Sequence, residues 1–328
     1  MIISKTPLRM SFVGGGSDLP VFYRKYGGAV VSTAINKFVY VTVNQKFDDR
    51  IRVSYSRTEE ARTVNHVKHP LVREALKRLG VNGGVEITSI ADIPAKGSGL
   101  GSSSSFTVGL LHALHAYACR YASAEQLARE SCEIEIDRCG EPIGKQDQFA
   151  AAFGGFNFIE FYPDDSVAVE PIICRRETLR ELQANTIVFY TGITRSASTL
   201  LKTQQEAVAS EKAKQKTLRR MVELARQLKA ELQKNNVDAF GEIIHENWEL
   251  KRGLTNAIST SAIDDWYAAG RKAGAIGGKL LGAGSGGFLM FYAPRERHDA
   301  IARDLTGLRR MDFAFEPQGS KIIFVHDQ

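Results

Sequence analysis

The sequence is poor in cysteine and in long hydrophobic runs, and each shortage excludes a class of protein. Four cysteines occur in 328 residues, at Cys119, Cys132, Cys139 and Cys174, and no two are spaced as C-x-x-C. We therefore expect reduced thiols in a cytoplasmic protein and no disulfide framework. No apolar stretch is long enough to cross a membrane, and the N-terminal segment MIISKTPLRM is too short and too polar for the hydrophobic part of a signal peptide.

Concentrated positive charge is also missing. Lysine and arginine outnumber aspartate and glutamate by 43 to 37, a net charge of +6, but the basic residues are scattered along the chain. The excess favours an anionic partner, and the scatter favours a small anionic substrate over nucleic acid. Hydrophobic residues make up 43% of the chain, which is typical of a globular protein, and the length suffices for two domains of ordinary size.

The familiar nucleotide-binding signatures do not fit. A P-loop requires G-x-x-x-x-G-K-[ST], and no Gly-Lys pair in the chain is followed by serine or threonine. A formal G-x-G-x-x-G occurs at Gly282, Gly284 and Gly287, but it leads into the strand-like run Phe288-Leu-Met-Phe. A dinucleotide-binding fingerprint must open a helix, so this match is excluded as well.

What the chain has is the segment PAKGSGLGSSSS, residues 94–105, followed by an apolar run from Phe106 to about Cys119. Glycines on alternate positions let an anion approach the backbone, and the serines can cap a helix whose first-turn amides then face a phosphate chain. The apolar run predicts a buried helix that holds the loop rigid. The alternative, a flexible Gly/Ser linker, does not explain why so apolar a helix follows directly.

A predicted helix over residues 124–139 carries two glutamates on different faces. Ala128, Cys132, Glu135 and Cys139 form a stripe of mostly small residues that should face the interior, whereas Glu133 lies about 200° round the helix. A buried carboxylate needs a cation, so Glu135 is a candidate Mg²⁺ ligand. The alternative is a buried glutamate paired with an arginine.

Two aspartates stand beside glycine-rich turns. Asp147 falls at or within the first turn of a short helix that ends at Gly154, where the helix dipole favours its charged form. An ionised aspartate beside a phosphate loop can orient or deprotonate a hydroxyl group, although N-capping is a simpler role. Asp18 follows the glycine-rich turn 14–16, and it could bind a ligand or only satisfy turn amides.

The order of elements indicates two α+β units. The first 95 residues read as mostly strand, and the composition becomes polar and irregular around Pro163–Arg180, where we place a boundary. We therefore expect an N-terminal domain over 1–175 and a C-terminal domain over 176–328. The second begins with the strand Thr186–Tyr190 and contains helices near 197–234, 237–251 and 261–273, a second glycine loop at Gly277–Gly287, the strand Phe288–Tyr292, a helix over 295–308 and the strand Lys321–Val325.

Three glycine motifs in this order resemble the signature motifs of the GHMP small-molecule kinases. They are TPLRMSFVGGGSD, PAKGSGLGSSSS and KLLGAGSGGFL. More narrowly, the segments GGGSDLP, GKQDQFAAAFGG and YTGITRSAS resemble the heptose 7-phosphate kinase branch, with fucokinase domains as close relatives. The Gly-Glu-His usual in the first motif is replaced here by three glycines, Gly14 to Gly16, so a substrate contact made through that glutamate is not expected.

The resemblance implies a two-domain α+β kinase fold with the active site in the cleft between the domains. It implies ATP and Mg²⁺ as cofactors, with Ser103 and Glu135 as metal ligands and Ser102 or Ser104 as alternatives to Ser103. Asp147 would orient or deprotonate the sugar hydroxyl, and Arg9 would steady that aspartate and the transferring phosphoryl group. The residues expected at the nucleotide are Lys96, Gly97, Ser98, Gly99, Leu100, Gly101, Ser102, Ser103 and Ser104. Those expected at the substrate are Gly15, Gly16, Ser17, Asp18, Arg195, Gly284 and Ser285.

The function implied is phosphorylation of the anomeric hydroxyl of a heptose 7-phosphate, for nucleotide-activated heptose and surface polysaccharide. The alternatives are a kinase for an unphosphorylated sugar such as L-fucose and an inactive relative that binds sugar and ATP. The expected partners are a sugar phosphate and ATP, with no nucleic acid and no membrane, and a homodimer is left open. A sugar phosphate needs its own cation away from the ATP site. We predict Arg195 for it, with Arg138 and Lys145 as the other candidates.

Overall fold

The structure is a computed structural model that describes residues 1–93, 97–194 and 197–326. Its strands form an eight-stranded and a four-stranded sheet. The strands of the large sheet are β1 Ile2–Val13, β2 Gly28–Gln45, β3 Ile51–Ser54, β4 Thr58–Ala61, β5 Val85–Ala91, β6 Phe156–Phe161, β7 Val167–Pro171 and β12 Lys321–Val325. Those of the small sheet are β8 Thr186–Tyr190, β9 Gly277–Leu280, β10 Phe288–Tyr292 and β11 Arg309–Arg310. The mixture agrees with the expected α+β class.

Helices connect and cover these strands. They are α1 Pro20–Tyr26, α2 Pro70–Leu79, α3 Ser102–Tyr117, α4 Ala124–Cys132, α5 Gln146–Phe153, α6 Arg176–Ala184, α7 Ala197–Ser210, α8 Lys212–Gln233, α9 Phe240–Arg252, α10 Ser261–Lys272 and α11 His298–Asp304. In the part of the chain that the structure describes, none of the helices is both long and apolar enough to cross a membrane.

Strand β1 is the element on which the large sheet is built. It pairs antiparallel with β2 on one side and with β12 on the other. The sequence predicts an interruption at Pro7, but the strand continues through it and the pairing register with β2 shifts between Pro7 and Leu8. Proline cannot donate a ladder hydrogen bond, and a shift of register absorbs that loss without ending the strand.

Helix α3 lies closely against β1 and β2. Ser4 Oγ donates to the carbonyl of Gly109 (2.7 Å), and Ser105 Oγ donates to the carbonyl of Pro7 (2.8 Å). The helix is buried along most of its length, as its apolar composition predicts. It begins four residues earlier than predicted, at Ser102, so the loop that precedes it is held rigidly on the sheet.

The predicted helix over 124–139 consists of two parts. After α4 the backbone continues as a π-helical turn from Glu133 to Arg138. π-helical turns insert an extra residue into a helix and occur frequently at functional sites. The predicted facing of the two glutamates is nevertheless confirmed, because Glu135 is 1% exposed whereas the Glu133 side chain is 34% exposed.

Elements of the C-terminal part differ from prediction mainly in length. The predicted helix over 197–234 is divided between α7 and α8, and the predicted helix over 295–308 consists of a short 3₁₀ turn and α11. Residues 277–280, predicted as the start of a glycine loop, form β9. The chain passes from the large sheet to the small one between β7 and β8 and returns to the large sheet at β12. The predicted domain boundary at residue 175 falls in the first passage and stays a prediction.

Aromatic side chains join the two parts of the fold. Phe12 of β1 stacks on Phe156 of β6 with ring centroids 5.4 Å apart, and it meets Phe240 of α9 edge to face at 5.3 Å. Phe240 in turn packs against Tyr292 of β10 at 4.9 Å. Offset and edge-to-face contacts of this kind are favourable geometries for buried rings. The C-terminal half of β1, which contains Arg9 and leads into the turn at Gly14, is thereby held between the two sheets.

Candidate active site

A cavity of about 230 Å³ brings together parts of all three glycine motifs. Its lining includes Gly15 and Gly16 from the first motif, residues 97–99 and 101–104 from the second, and Gly282 and Ala283 from the third. Arg9, Asp18, Glu135 and Asp147 line the same cavity. Four candidate residues that are far apart in sequence therefore meet at one place.

Residues 97–101 of the second motif form a loop that leads into α3. Gly97, Gly99 and Gly101 all have left-handed backbone conformations, with φ of 68°, 74° and 76°. A Cβ on Gly99 would overlap the carbonyl of Leu281, so the second and third glycine motifs are in backbone contact. The first amides of a helix have no partners within it and attract anions. This geometry is suited to a phosphate chain.

The serines of this loop do not cap α3 as the sequence suggests. The N-cap is Gly101, which has no side chain that could accept a hydrogen bond from the first amides of the helix. Ser102 Oγ is instead 2.9 Å from Ser98 Oγ, and Ser103 Oγ donates to Glu135 Oε1 at 2.9 Å. The hydroxyl groups thus stabilise the loop and leave the first-turn amides free of side-chain caps.

Glu135 is buried and belongs to a small network of polar side chains. Its carboxylate accepts hydrogen bonds from Ser103 Oγ and, at 2.6 Å, from Gln148 Nε2. Burial raises the pKa of the Glu135 carboxyl to about 7, although these hydrogen bonds oppose the rise. Among the described residues no lysine or arginine forms an ion pair with Glu135, so the arginine-paired alternative is not what the structure contains.

The donor set around Glu135 fits Mg²⁺. A buried carboxylate without a cation and an adjacent exposed hydroxyl, that of Ser103, are oxygen ligands of the kind that Mg²⁺ prefers. In the described ranges no three His, Cys, Asp or Glu side chains are grouped closely enough to hold a metal ion. Mg²⁺ commonly takes one or two protein ligands and completes its shell with phosphate oxygens and water, so two ligands suffice.

Arg9 and Asp147 form a bidentate ion pair. Arg9 Nε donates to Asp147 Oδ1 at 2.7 Å, and Nη2 donates to Oδ2 at 2.8 Å. The remaining nitrogen, Nη1, donates to the carbonyl of Gly99 at 2.7 Å. Asp147 lies in the first turn of α5, as predicted, and its side chain is 25% exposed against 5% for Arg9. One guanidinium thus joins the aspartate to the glycine loop.

Comparison with known proteins agrees with this geometry. The family model of the GHMP kinases N terminal domain matches residues 65–155, and that of the GHMP kinases C terminal matches residues 213–308. This chain belongs to the GHMP kinases. It is an ATP-dependent kinase, and the resemblance drawn from the three motifs is confirmed.

Two relatives match this GHMP kinase over its full length. One is the D-glycero-alpha-D-manno-heptose 7-phosphate kinase of Campylobacter jejuni, 29% identical, with 98% of each chain covered. The other is a crystal structure titled D-glycero-D-manno-heptose 1-phosphate kinase from Bacteriodes thetaiotaomicron, 27% identical, with a TM-score of 0.82 and all of both chains covered. A Lactococcus lactis galactokinase complexed with galactose covers 98% of this chain and 94% of its own at a TM-score of 0.75, but at 18% identity it supports the fold alone.

Asp18 of this GHMP kinase is buried at the turn of the first motif. Its carboxylate accepts hydrogen bonds from the amide of Gly16 (3.0 Å) and from Gln146 Nε2 (2.9 Å). Burial, and then the negative charge of Asp147, raise the pKa of Asp18. The side chain therefore ties the first motif to the start of α5, and it also lines the cavity where a sugar hydroxyl could reach it.

Two buried lysines in the cavity wall were missed by the sequence analysis. Lys251 of α9 donates from Nζ to the carbonyl of Gly282, and Lys279 of β9 donates to the carbonyls of Ser11 (2.7 Å) and Phe12 (3.0 Å). Burial lowers the pKa of Lys251 to about 8, with a further contribution from Arg9, and burial holds the pKa of Lys279 well below its usual range. The available signal was helical spacing, because Lys251 follows Asn247 and Ile244 on the buried face of α9.

The remaining predicted site residues do not line the cavity or lie outside the part of the chain that the structure describes. Lys96 and Arg195 are outside the described residues, and their roles stay predictions. Lys145 pairs with Asp165 at 3.1 Å and Arg138 with Glu133 at 2.6 Å, so both alternatives for the substrate phosphate are already paired. Four more residues are absent from the cavity lining, although their roles stay predictions. Leu100 is buried, and its carbonyl accepts from the amide of Arg9 at 3.0 Å. Ser17 bonds to the backbone of Ala29, and Gly284 and Ser285 lie against Ile258.

Proposed function

We propose that this ATP-dependent sugar kinase phosphorylates the anomeric C1 hydroxyl of D-glycero-D-manno-heptose 7-phosphate and forms the 1,7-bisphosphate. The observation that carries the proposal is the Arg9–Asp147 pair, joined to the glycine loop through Gly99, in a chain that matches a heptose 7-phosphate kinase from end to end. The reaction would take place in the cytoplasm, and its product would supply nucleotide-activated heptose for surface polysaccharide.

In the proposed reaction, the loop over residues 97–104 and the first turn of α3 bind the phosphates of ATP through backbone amides. Asp147 accepts the proton of the C1 hydroxyl, and the hydroxyl oxygen attacks the γ-phosphorus as the bond to the β-phosphate oxygen breaks and ADP leaves. Arg9 orients Asp147 through its two hydrogen bonds. Its positive charge also stabilises the charge on the phosphoryl oxygens in transit.

Ser103 and Glu135 would hold Mg²⁺ in this reaction. The ion, when bound, neutralises the phosphate oxygens and positions them for in-line transfer. Gln148 donates to the second oxygen of Glu135 and would fix the orientation of that carboxylate. The oxygen donors available here match the chemistry of the ion, and they support this assignment.

The names of the heptose kinases from Campylobacter jejuni and Bacteriodes thetaiotaomicron give the sugar phosphate at different carbon atoms. One name specifies a heptose 7-phosphate as the acceptor, whereas the other contains a heptose 1-phosphate. The experiment must therefore identify both the acceptor and the position that receives the phosphoryl group. We expect the 7-phosphate as acceptor and C1 as the position, in keeping with the name of the Campylobacter jejuni relative and with an aspartate base that acts on a free hydroxyl.

Release of ADP from ATP by the purified full chain, measured over a panel of acceptors, tests the proposal. The panel contains heptose 7-phosphate, heptose 1-phosphate, unphosphorylated manno-heptose and L-fucose, and phosphorus NMR assigns the position of the new phosphate. The highest kcat/KM should belong to heptose 7-phosphate, with a new anomeric phosphate signal. Preference for any other member, or phosphorylation away from C1, overturns the proposal.

L-fucose is the acceptor of the second candidate function. The bifunctional fucokinase/GDP-fucose pyrophosphorylase of Arabidopsis thaliana is 26% identical over 88% of this chain, although the match covers 29% of that larger protein. The third possibility, an inactive relative that binds sugar and ATP, is disfavoured by the intact Arg9, Glu135 and Asp147. A chain with no turnover on the whole panel but with measurable ATP binding would support it.

A further inference from the structure

The part of the cavity next to the first glycine motif contains hydrogen-bond donors without partners. Gln204 of α7 is 1% exposed and lines the cavity, and its Nε2 has no hydrogen-bond partner among the described residues. Lys251 is 5% exposed, and among the residues that the structure describes its ammonium group, which has three hydrogens to donate, bonds only to the carbonyl of Gly282. A buried polar atom without a partner costs free energy unless a ligand satisfies it.

Gly16 provides the space for Gln204, and Gly15 lies next to Lys251. A Cβ on Gly16 would overlap Gln204 Nε2, and the φ of +101° at Gly16 already disfavours any side chain. A Cβ on Gly15 would lie 3.9 Å from Lys251 Nζ and 3.6 Å from Ser11 Oγ, a hydroxyl that also lacks a partner in the part of the chain described. Because Gly15 has no side chain, a ligand group can approach its backbone closely.

The acceptor groups nearby are largely used. Asp18 accepts hydrogen bonds from Gly16 and Gln146, and Glu141, the other carboxylate near α7, accepts one from Ser198 Oγ at 2.5 Å. Lys251 forms no ion pair with either of them within the described ranges. Gln146 Oε1 is an acceptor without a partner there and suits a sugar hydroxyl. The groups left to donate are neutral donors and the Lys251 ammonium, beside the carboxylates of Asp18 and Glu141, and these donors match a ligand group that is anionic and rich in acceptors.

We propose that Gln204 and Lys251 form the subsite for the acceptor sugar's own phosphate group, an inference that rests on the proposed function. The subsite adjoins the glycine loops through the bond of Lys251 to the carbonyl of Gly282, but it shares no residue with the loop over 97–104 or with the Ser103–Glu135 pair, which would meet the phosphates of ATP. Each of the two anions that enter the cavity therefore has its own positive charge: Lys251 for the acceptor, Arg9 for the transferring group. Without the separate cation, the two phosphates would repel one another across the cavity.

The decisive variant is Gln204→Glu, which keeps size and shape but places a negative charge next to the phosphate. Its kcat/KM for heptose 7-phosphate should fall tenfold or more, mainly through KM, whereas kcat/KM for unphosphorylated manno-heptose and KM for ATP should change less than about twofold. Lys251→Met should act in the same direction. Gln205→Glu, the same change one position along α7 and outside the cavity lining, is the matched control and should behave as the wild type.

Each other outcome has a defined meaning. Equal losses for both acceptors, or no loss in Gln204→Glu, overturn the subsite while the proposed function stands. If the wild type itself prefers an unphosphorylated sugar, the proposed function fails, and inorganic phosphate then decides the subsite. The subsite is supported if phosphate competes with that sugar and its inhibition constant rises tenfold or more in Gln204→Glu. Competition with ATP alone, no competition, or an unchanged constant overturns it.

Discussion

Arg9 holds both carboxylate oxygens of Asp147, at 2.7 and 2.8 Å, and with its third nitrogen it holds the carbonyl of Gly99 in the ATP loop. The proposed catalytic base and the proposed nucleotide loop are thus positioned by a single side chain from β1. A bidentate guanidinium pair is both strong and directional. A change at Asp147 should therefore alter chemistry first and nucleotide binding much less.

We expect Asp147→Asn to lower kcat by about 10² to 10⁴ while ATP affinity stays within a few fold. The amide keeps the size of the side chain and one hydrogen-bond acceptor for Arg9, but it cannot take the proton. Single-turnover kinetics and ATP titration measure the two effects separately. Near-normal kcat in this variant would remove Asp147 from the reaction, and an equal loss of ATP affinity would assign it to binding.

Exchange of Glu135 and Glu133 for glutamine compares an inward carboxylate with an outward one. Glu135→Gln should abolish most Mg²⁺-dependent activity and the rise in melting temperature that Mg²⁺ with ATP produces. Glu133 pairs with Arg138 on the surface, so Glu133→Gln should change both quantities little. Equal behaviour of the two variants, or the reverse order, would contradict the assignment of the metal site.

The facing of these glutamates shows what the sequence could predict. Local patterns sufficed for the strands Thr186–Tyr190, Phe288–Tyr292 and Lys321–Val325, whose predicted bounds agree with the structure. The inward position of Glu135 was also predicted, since the stripe of neighbouring residues survives the π-helical turn.

The buried lysines could not be predicted in the same way. A lysine is charged and usually exposed, and only the packing of α9 and β9 against the end of β1 buries Lys251 and Lys279. Gln204 is a similar case, because its burial depends on the space left at Gly16, which lies on a different element. Contacts between elements that are distant in sequence decided these positions. The helical spacing of Lys251 with Asn247 and Ile244 is a local signal, but it does not by itself predict that a lysine is buried.

The pKa of Lys251 predicts a pH dependence for the proposed phosphate subsite. Burial, and then the charge of Arg9, lower this pKa to about 8, whereas Asp18 and Asp147 act to raise it. The ammonium form is lost as the pH rises through the pKa. The kcat/KM for the phosphorylated acceptor should therefore fall above about pH 8, and Lys251→Met should lack that limb. A limb that persists in Lys251→Met, or one of equal size for an unphosphorylated sugar, would show that another group titrates.

The contact between the two glycine loops can be tested at Gly99. A Cβ there would overlap the carbonyl of Leu281, whereas Gly80, with a similar φ of +72°, has no neighbour within 4 Å of such a Cβ. In Gly80→Ala we expect only the cost of a left-handed alanine, on the order of 1 kcal/mol of unfolding free energy. Gly99→Ala bears the same strain and must also move one loop away from the other.

Gly99→Ala should therefore lose more stability than Gly80→Ala and, unlike it, weaken ATP binding by an order of magnitude or more, because a displaced loop no longer aims its amides at the phosphates. Denaturant unfolding gives the stability difference, and titration with ATP in the presence of Mg²⁺ gives the affinity. If Gly99→Ala keeps the wild-type affinity for ATP, the nucleotide phosphates bind elsewhere than on this loop. If both variants lose equal stability, the close approach of Gly99 to Leu281 does not persist in solution.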